Sequence, residues 1–256
     1  MTARELQIDA AYTGLPELAH GGYVAGLLTA ALPADSARVR LRRPVPAGRA
    51  LRIERPGPGH AELHDETGLL AEAVAAEVLL HVPAPVDPAE ARAATSRFPG
   101  AAHHPIPSCL VCGTAHDDGL EVFPGPVSGR AMVAASWTPA AGHARGDGAL
   151  PLELVSAALD CPQLWALMIH AEPASSERVV SSVIEARFER PVRAGEPHVV
   201  MAWPMGRDGR RRLAGAAILG PDGELCAAGR QTAVAVDGWG VPLGRDQWSA
   251  ERLAGA

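Results

Sequence analysis

The sequence has few aromatic residues, few cysteines, no basic excess and no long uninterrupted apolar run. Each shortage removes a class of protein. Aromatics make up 4% of the 256 residues, a scarcity that with abundant alanine and arginine suits a GC-rich bacterial genome and says nothing of chemistry. Four cysteines are too few for a disulfide framework, which points to reduced thiols and a cytoplasmic setting. A formal net charge of -6 argues against a general nucleic-acid binder, whose phosphate contacts need basic surface. The clusters Arg38 to Arg43 and Arg207 to Arg212 read as solvated strand faces or turns. Met1 to Leu15 carry charge without the apolar core of a signal peptide, and no stretch reaches the roughly 18 to 20 apolar residues of a membrane span. Also missing are a Gly-x-Ser-x-Gly nucleophile elbow and a glycine-rich phosphate loop.

What is present is one pattern, read twice. A proline-rich stretch, 83–107, separates the halves 1–82 and 108–240, with a tail over 241–256. Within that connection Asp87-Pro88 has the form of an N-cap followed by proline at the first helical position, so 87–95 can make a short helix. In the first half, 21–32 is apolar almost all round, as in a helix buried on most faces. Strand candidates follow at 37–43, 50–54, 60–64 and 69–80, parted by Gly/Pro/Asp turns. The second half has strand candidates at 120–123 and 132–137 and an apolar helix over 151–170. Strands follow at 179–190, 199–205, 213–219 and 225–236. Arg43-Pro44-Val45-Pro46-Ala47-Gly48 matches Arg190-Pro191-Val192-Arg193-Ala194-Gly195 at five of six positions, each time at the end of a strand that follows a helix. The expected fold class is α+β: two tandem units, each a long buried helix wrapped by an antiparallel meander.

Particular residues carry a family resemblance. His20-Gly21-Gly22, opening the first helix, resembles the His-Gly-Gly start of the central helix in hotdog-fold acyl-CoA thioesterases of the phenylacetate-pathway type. In that family a catalytic carboxylate stands nine residues after the histidine, and here that place holds Thr29. The second half keeps what the first has lost. Cys109-Leu110-Val111-Cys112-Gly113 with Gly119-Leu120 resembles the family's opening segment, and Leu159-Asp160 resembles its Leu-Asp, while Pro151-Leu152-Glu153 stands where the glycines should be. The resemblance implies two fused hotdog domains sharing one composite site, with His20, Gly21 and Gly22 facing Asp160, and a dead counterpart at Thr29 and Pro151 to Glu153. Alignment on the Pro-Val-x-Ala-Gly anchor adds Ser181 as an auxiliary hydroxyl, preferred narrowly over Ser182 on the opposite strand face.

The implied reaction is hydrolysis of an acyl-CoA or acyl-carrier-protein thioester, with Asp160 as base or nucleophile and glycine N–H groups as oxyanion donors. His20 takes part in the chemistry or caps the helix. Arg187, Arg190 and Arg193 are candidates to meet CoA phosphates. Two alternatives stand beside this: a degenerate pair that binds an acyl thioester without turnover, and an enoyl-CoA hydratase. Hydratases of this fold carry a His and an Asp close together near the helix start, a pairing not seen in the sequence around His20. Pro162, two residues past Asp160, is expected to bend the helix beside Cys161, Leu164 and Trp165. Cys109 and Cys112 with His103, His104 or His116 would offer part of a zinc set. The remaining ligands would have to come from the proline-rich segment, and the resemblance accounts for the cysteines without a metal. No metal or redox cofactor is expected; further pairing of double units into homo-oligomers is common in the family.

Overall fold

The computed structural model describes residues 3–170 and 178–236; the tail 241–256 lies outside them. The first half runs β1 (Ala3–Gln7), α1 (Gly21–Ala30), β2 (Ser36–Leu41), β3 (Ala50–Gly57), β4 (His60–Asp65) and β5 (Gly68–Ala75). After α2 (Pro88–Thr95) come β6 (Gly125–Pro126), β7 (Val133–Trp137), α3 (Leu152–Ile169), β8 (Arg178–Phe188), β9 (His198–Asp208), β10 (Arg211–Leu219) and β11 (Leu225–Val236). All the strands form one antiparallel sheet in the order β1-β3-β4-β5-β2-β8-β11-β10-β9-β7-β6. Read outward from the β2–β8 seam, β2-β5-β4-β3-β1 and β8-β11-β10-β9-β7 have the same connectivity, with β6 an extra edge strand, so the sheet carries an internal two-fold. The seam itself is a full ladder, with Ser36 opposite Arg187 and Arg40 opposite Val183.

The repeated letters are explained by repeated geometry. Gly48 and Gly195, which close the matched segments, have φ of 70° and 78°, values that a residue with a Cβ adopts at a cost. The backbone bonds around them correspond pair by pair. Ala19 N donates to Val45 O and Leu150 N to Val192 O, each at 2.8 Å, and the bridges Leu18–Pro46 and Ala149–Arg193 are equivalent.

Helices α1 and α3 lie against each other on one side of the sheet, each at the centre of its own apolar cluster. Their contact is close because it is built from small residues. A Cβ on Gly22 would stand 2.8 Å from Ala157 Cα, and one on Gly26 would run into Glu153 Cα and within 2.5 Å of Leu152 O. The two contacts are equivalent, since position 22 corresponds to 153 and position 26 to 157 under the internal two-fold. Among the described residues α3 alone is long and apolar enough to cross a membrane, and 72% of that stretch is buried inside the protein, which is the burial of a core helix.

Two local expectations differ from what is observed. Residues 120–123 are loop rather than strand, with Leu120 and Val122 buried and Glu121 exposed, and β1 and β6 add edge strands that no alternation announced. Helix α3 continues through Pro162 to Ile169 without ending. Gln231, on β11, donates its Nε2–H to the Asp160 carbonyl at 3.1 Å beside this point. Helix α2 starts as its sequence suggests, with Asp87 Oδ1 accepting from Ala89 N at 2.8 Å. It is docked: Ala91 and Ala94 pack with Met132, Met201 and Trp203 on the outer face of the second half.

Candidate active site

The site forms where the start of α1 meets the middle of α3. The N–H groups of a helix's first turn lack intrahelical acceptors and sit at the positive end of its dipole. The first bond inside α1 runs from Val24 N to His20 O, so the N–H groups of Gly21 and Gly22 precede it. Gly22 N donates to Asp160 Oδ2 at 2.7 Å, a carboxylate from the other half capping this helix. Glycine is required for that approach, since a Cβ at position 22 would lie 2.6 Å from Asp160 Cβ. The second carboxylate oxygen, Oδ1, accepts from Ser181 Oγ at 2.7 Å. His20 completes the group, with Nδ1 3.6 Å from Asp160 Oδ2.

Burial pushes the Asp160 carboxyl above its usual range, a shift opposed by His20, Ser181 and the Gly22 N–H. Burial works against a proton on His20, but the Cys109 sulfur and Asp160 outweigh it and raise the imidazole. His20 is the N-cap residue of α1 yet makes no side-chain capping bond; its ring is turned into the site instead.

All five residues singled out in the sequence, His20, Gly21, Gly22, Asp160 and Ser181, therefore stand together. The choice between the two serines depends on a detail the alternation rule could not supply. The β8–β11 register shifts so that Thr232 faces Val183 and Ala233 faces Ser181, a bulge that leaves Ser182 without a partner. Both serines border the cavity, but Ser181 holds the carboxylate. Thr29, the counterpart of Asp160, turns its hydroxyl back to Ala25 O at 2.8 Å within its own helix.

Asp160, His20, Gly21 and Ser181 line a cavity of about 550 Å³ between the halves. Its walls are mainly apolar, with Leu18, Ile106, Leu164, Trp165, Met168 and Val179. The arginines expected near CoA phosphates, Arg187, Arg190 and Arg193, do not border the cavity; Arg42 and Arg43 do, the first paired with Glu72 and the second with Asp65. Two buried glutamines escaped notice in the sequence, and Cys161, named there only as a neighbour of Pro162, makes a contact not expected of it. Gln231 holds the Asp160 main chain, Gln163 donates to Gly229 O at 3.3 Å, and Cys161 touches His20, its Sγ 3.1 Å from Nε2. None lies in a motif; the glutamines' only signal is a polar letter in an otherwise apolar run.

A search of solved structures matches this architecture along nearly its whole length. The tesB protein of Mycobacterium avium subsp. paratuberculosis aligns over 91% of this chain and 93% of its own with a TM-score of 0.62 at 14% identity. Acyl-CoA thioesterase II TesB2 of Mycobacterium marinum aligns over 93% of this chain and 94% of its own, with a TM-score of 0.59 at 16% identity. The chain has a double hotdog fold. No family model matches the sequence, and no curated protein sequence does either. In this double hotdog the two helices are the sausages and the shared sheet is the bun, and the Asp160 cluster lies on the line between the two units.

Proposed function

We propose that this double hotdog hydrolyses acyl thioesters, an acyl-CoA or the same acyl group on a carrier protein, at one composite site between its halves. One observation carries the reading. A buried carboxylate, fixed on both oxygens by Gly22 N–H and Ser181 O–H, faces an apolar cavity at the positive end of a helix. The solved structures that resemble the chain, one of them titled an acyl-CoA thioesterase II, support it.

In this mechanism the acyl chain lies along Leu164, Trp165 and Met168 and the thioester carbonyl reaches the start of α1. Gly22 N–H is engaged by Asp160, so the oxyanion falls to Gly21 N–H, the residue of the pair that borders the cavity. Such a donor contributes roughly 3 to 4 kcal/mol in other acyl-transfer enzymes. Asp160 takes a proton from the attacking water or attacks the carbonyl itself. Arg42 and Arg43 would meet the CoA phosphates.

Ser181 is a positioning residue, and its removal frees one oxygen of Asp160. Ser181→Ala is expected to slow thiol release about 10-fold or more, the loss of a hydrogen bond to a charged group. Ser181→Thr should restore most of the rate by returning the hydroxyl. An alanine variant as fast as the parent would remove Ser181 from the site.

Tertiary structure also supplies the His–Asp neighbourhood that the sequence around His20 lacked, since Asp160 arrives from the other half. That favours a second reading, water addition to an enoyl-CoA. The two are separated by assaying thiol release and loss of the enoyl double bond on one substrate panel. Thiol release across saturated acyl-CoAs supports hydrolysis; hydration of enoyl-CoA with no free thiol replaces it with a lyase.

A further inference from the structure

Beside Asp160, three of the chain's four cysteines converge with His20. His20 Nε2 lies 3.1 Å from Cys161 Sγ; Cys161 Sγ lies 3.6 Å from Cys109 Sγ; Cys109 Sγ lies 3.8 Å from Cys112 Sγ. The donor atoms of His20, Cys109 and Cys161 are all within 4.8 Å of one another, and all four residues are buried. They come from the start of α1, from α3 and from the 109–112 loop, so no local sequence pattern forces them together. For tetrahedral zinc, bond lengths of about 2.3 Å to sulfur and 2.0–2.1 Å to nitrogen put ligand atoms about 3.8 Å (S to S) and about 3.5 Å (S to N) apart. The His20–Cys161, Cys161–Cys109 and Cys109–Cys112 separations lie close to those edges, while Cys112 Sγ falls outside the set whose donor atoms are all within 4.8 Å and would have to move in to complete the tetrahedron.

The surroundings match what thiolate ligands need. His104 Nδ1 accepts from Ile106 N at 2.9 Å, which in the neutral ring places the proton on Nε2, 3.3 Å from Cys112 Sγ. Trp165 Nε1–H donates to the same sulfur at 3.3 Å. Two N–H groups thus point at one buried sulfur, which itself donates to Cys109 Sγ at 3.8 Å. His20 Nδ1 is buried with no hydrogen-bond partner, its nearest carboxylate oxygen being Asp160 Oδ2 at 3.6 Å. A metal on Nε2 would fix the ring proton on Nδ1, facing that carboxylate, which is how metal-bound imidazoles are commonly oriented.

We propose that this cluster is a zinc site of the Cys3His type, with His20 Nε2 and the sulfurs of Cys109, Cys112 and Cys161 as ligands. The sequence offered only the Cys109/Cys112 pair and a choice of nearby histidines. Of these, His104 sits behind Cys112 and His116 bonds the Ala11 carbonyl, 2.8 Å away. The missing ligands come from His20 and Cys161. With four protein ligands the ion is structural: it ties the α1 start of one hotdog to α3 and the 109–112 loop of the other and fixes the ring beside Asp160. The proposal does not depend on hydrolysis.

The test is metal analysis of the full-length protein, purified from zinc-replete cells without chelator, alongside Cys109→Ser, Cys161→Ser and, as a control, Cys226→Ser, since Cys226 lies outside the cluster. The expected result is about one zinc per chain in the parent and the control, and less than a tenth of that in the other two. Cobalt exchanged into the parent should give thiolate-to-cobalt charge-transfer absorption that the Cys161→Ser variant lacks. A parent chain that holds no zinc and gives no cobalt–thiolate band would overturn the site, whatever the variants do. So would a parent whose cluster sulfurs prove to be joined as a disulfide.

Discussion

Asp160→Asn is expected to lower thiol release from acyl-CoA substrates by about 10²- to 10⁴-fold, the usual contribution of a positioned acid or base. The substitution is nearly isosteric. The asparagine Oδ1 can still accept from Gly22 N–H or Ser181 O–H, so the cap on α1 and the packing around it are retained. It removes the basic oxygen and the buried charge, and an amide neither deprotonates water at useful rates nor forms an anhydride with the substrate. The measurement is kcat/KM over a panel of acyl-CoAs of varied length and aromaticity, with circular dichroism to show that the fold is unchanged. A variant that keeps the parent's rate would end the role of Asp160 in hydrolysis, whereas a parent that binds acyl-CoAs without releasing thiol would leave the cavity as a binding site. Ligand binding that survives in the variant while turnover is lost is the outcome the composite site requires.

Gly26→Ala is expected to destabilise the protein even though alanine is the better helix former. Alanine gains about 1 kcal/mol over glycine in a helix interior. Against this, the new methyl would run into Glu153 Cα and the backbone of α3, where no side chain can rotate away. Overpacking of well-filled interiors costs about 1–3 kcal/mol, and a clash with backbone belongs at or beyond the upper end. The clash wins, and a net loss of about 2 kcal/mol corresponds to a Tm lower by about 4–8 °C for a chain of this size. Because α1 and α3 belong to different halves, the same methyl should also push the α1 start away from Asp160 and reduce thiol release. A thermal melt at or above that of the parent would show that the helices have room to separate, and that the small-residue contact is not what sets their spacing.

Much of this architecture could be read before any coordinates. The 21–32 and 151–170 runs became α1 and α3 because a helix buried on most faces has to be apolar on most faces. The Pro-Val-x-Ala-Gly repeat marked the duplication because the chain must turn there through a left-handed glycine, Gly48 in one half and Gly195 in the other. What failed was local and has a local cause. Residues 120–123 alternate like a strand, but their backbone bonds go to the cysteine loop instead: Leu120 N reaches Leu110 O and Val122 N reaches Val111 O. The β1 and β6 edges are too short or too exposed for an apolar pattern to reveal them. Among the candidate site residues, His20, Gly21, Gly22 and Asp160 were picked out by a resemblance that each half carries in part, and Ser181 by alignment on the Pro-Val-x-Ala-Gly repeat. Ser181 over Ser182 was a narrow preference until the bulge opposite Thr232 and Ala233 showed which hydroxyl meets Asp160.

The sequence by itself determined the two units and their helices, and the family resemblance alone marked Thr29 and Pro151 to Glu153 as departures from its motif. The units and helices follow from interactions over a few residues: turn conformation and helix burial. Tertiary structure decided everything that depends on which segments meet. It brought Asp160 onto the α1 start, set Gly22 against Asp160 and Gly26 against Glu153, aligned Arg42 and Arg43 with the cavity, and gathered Cys109, Cys112 and Cys161 around His20. The physical reason is separation along the chain. Residues 20 and 161 are neighbours because two helices pack through small side chains across a two-fold, and periodicity within either half carries no record of that contact.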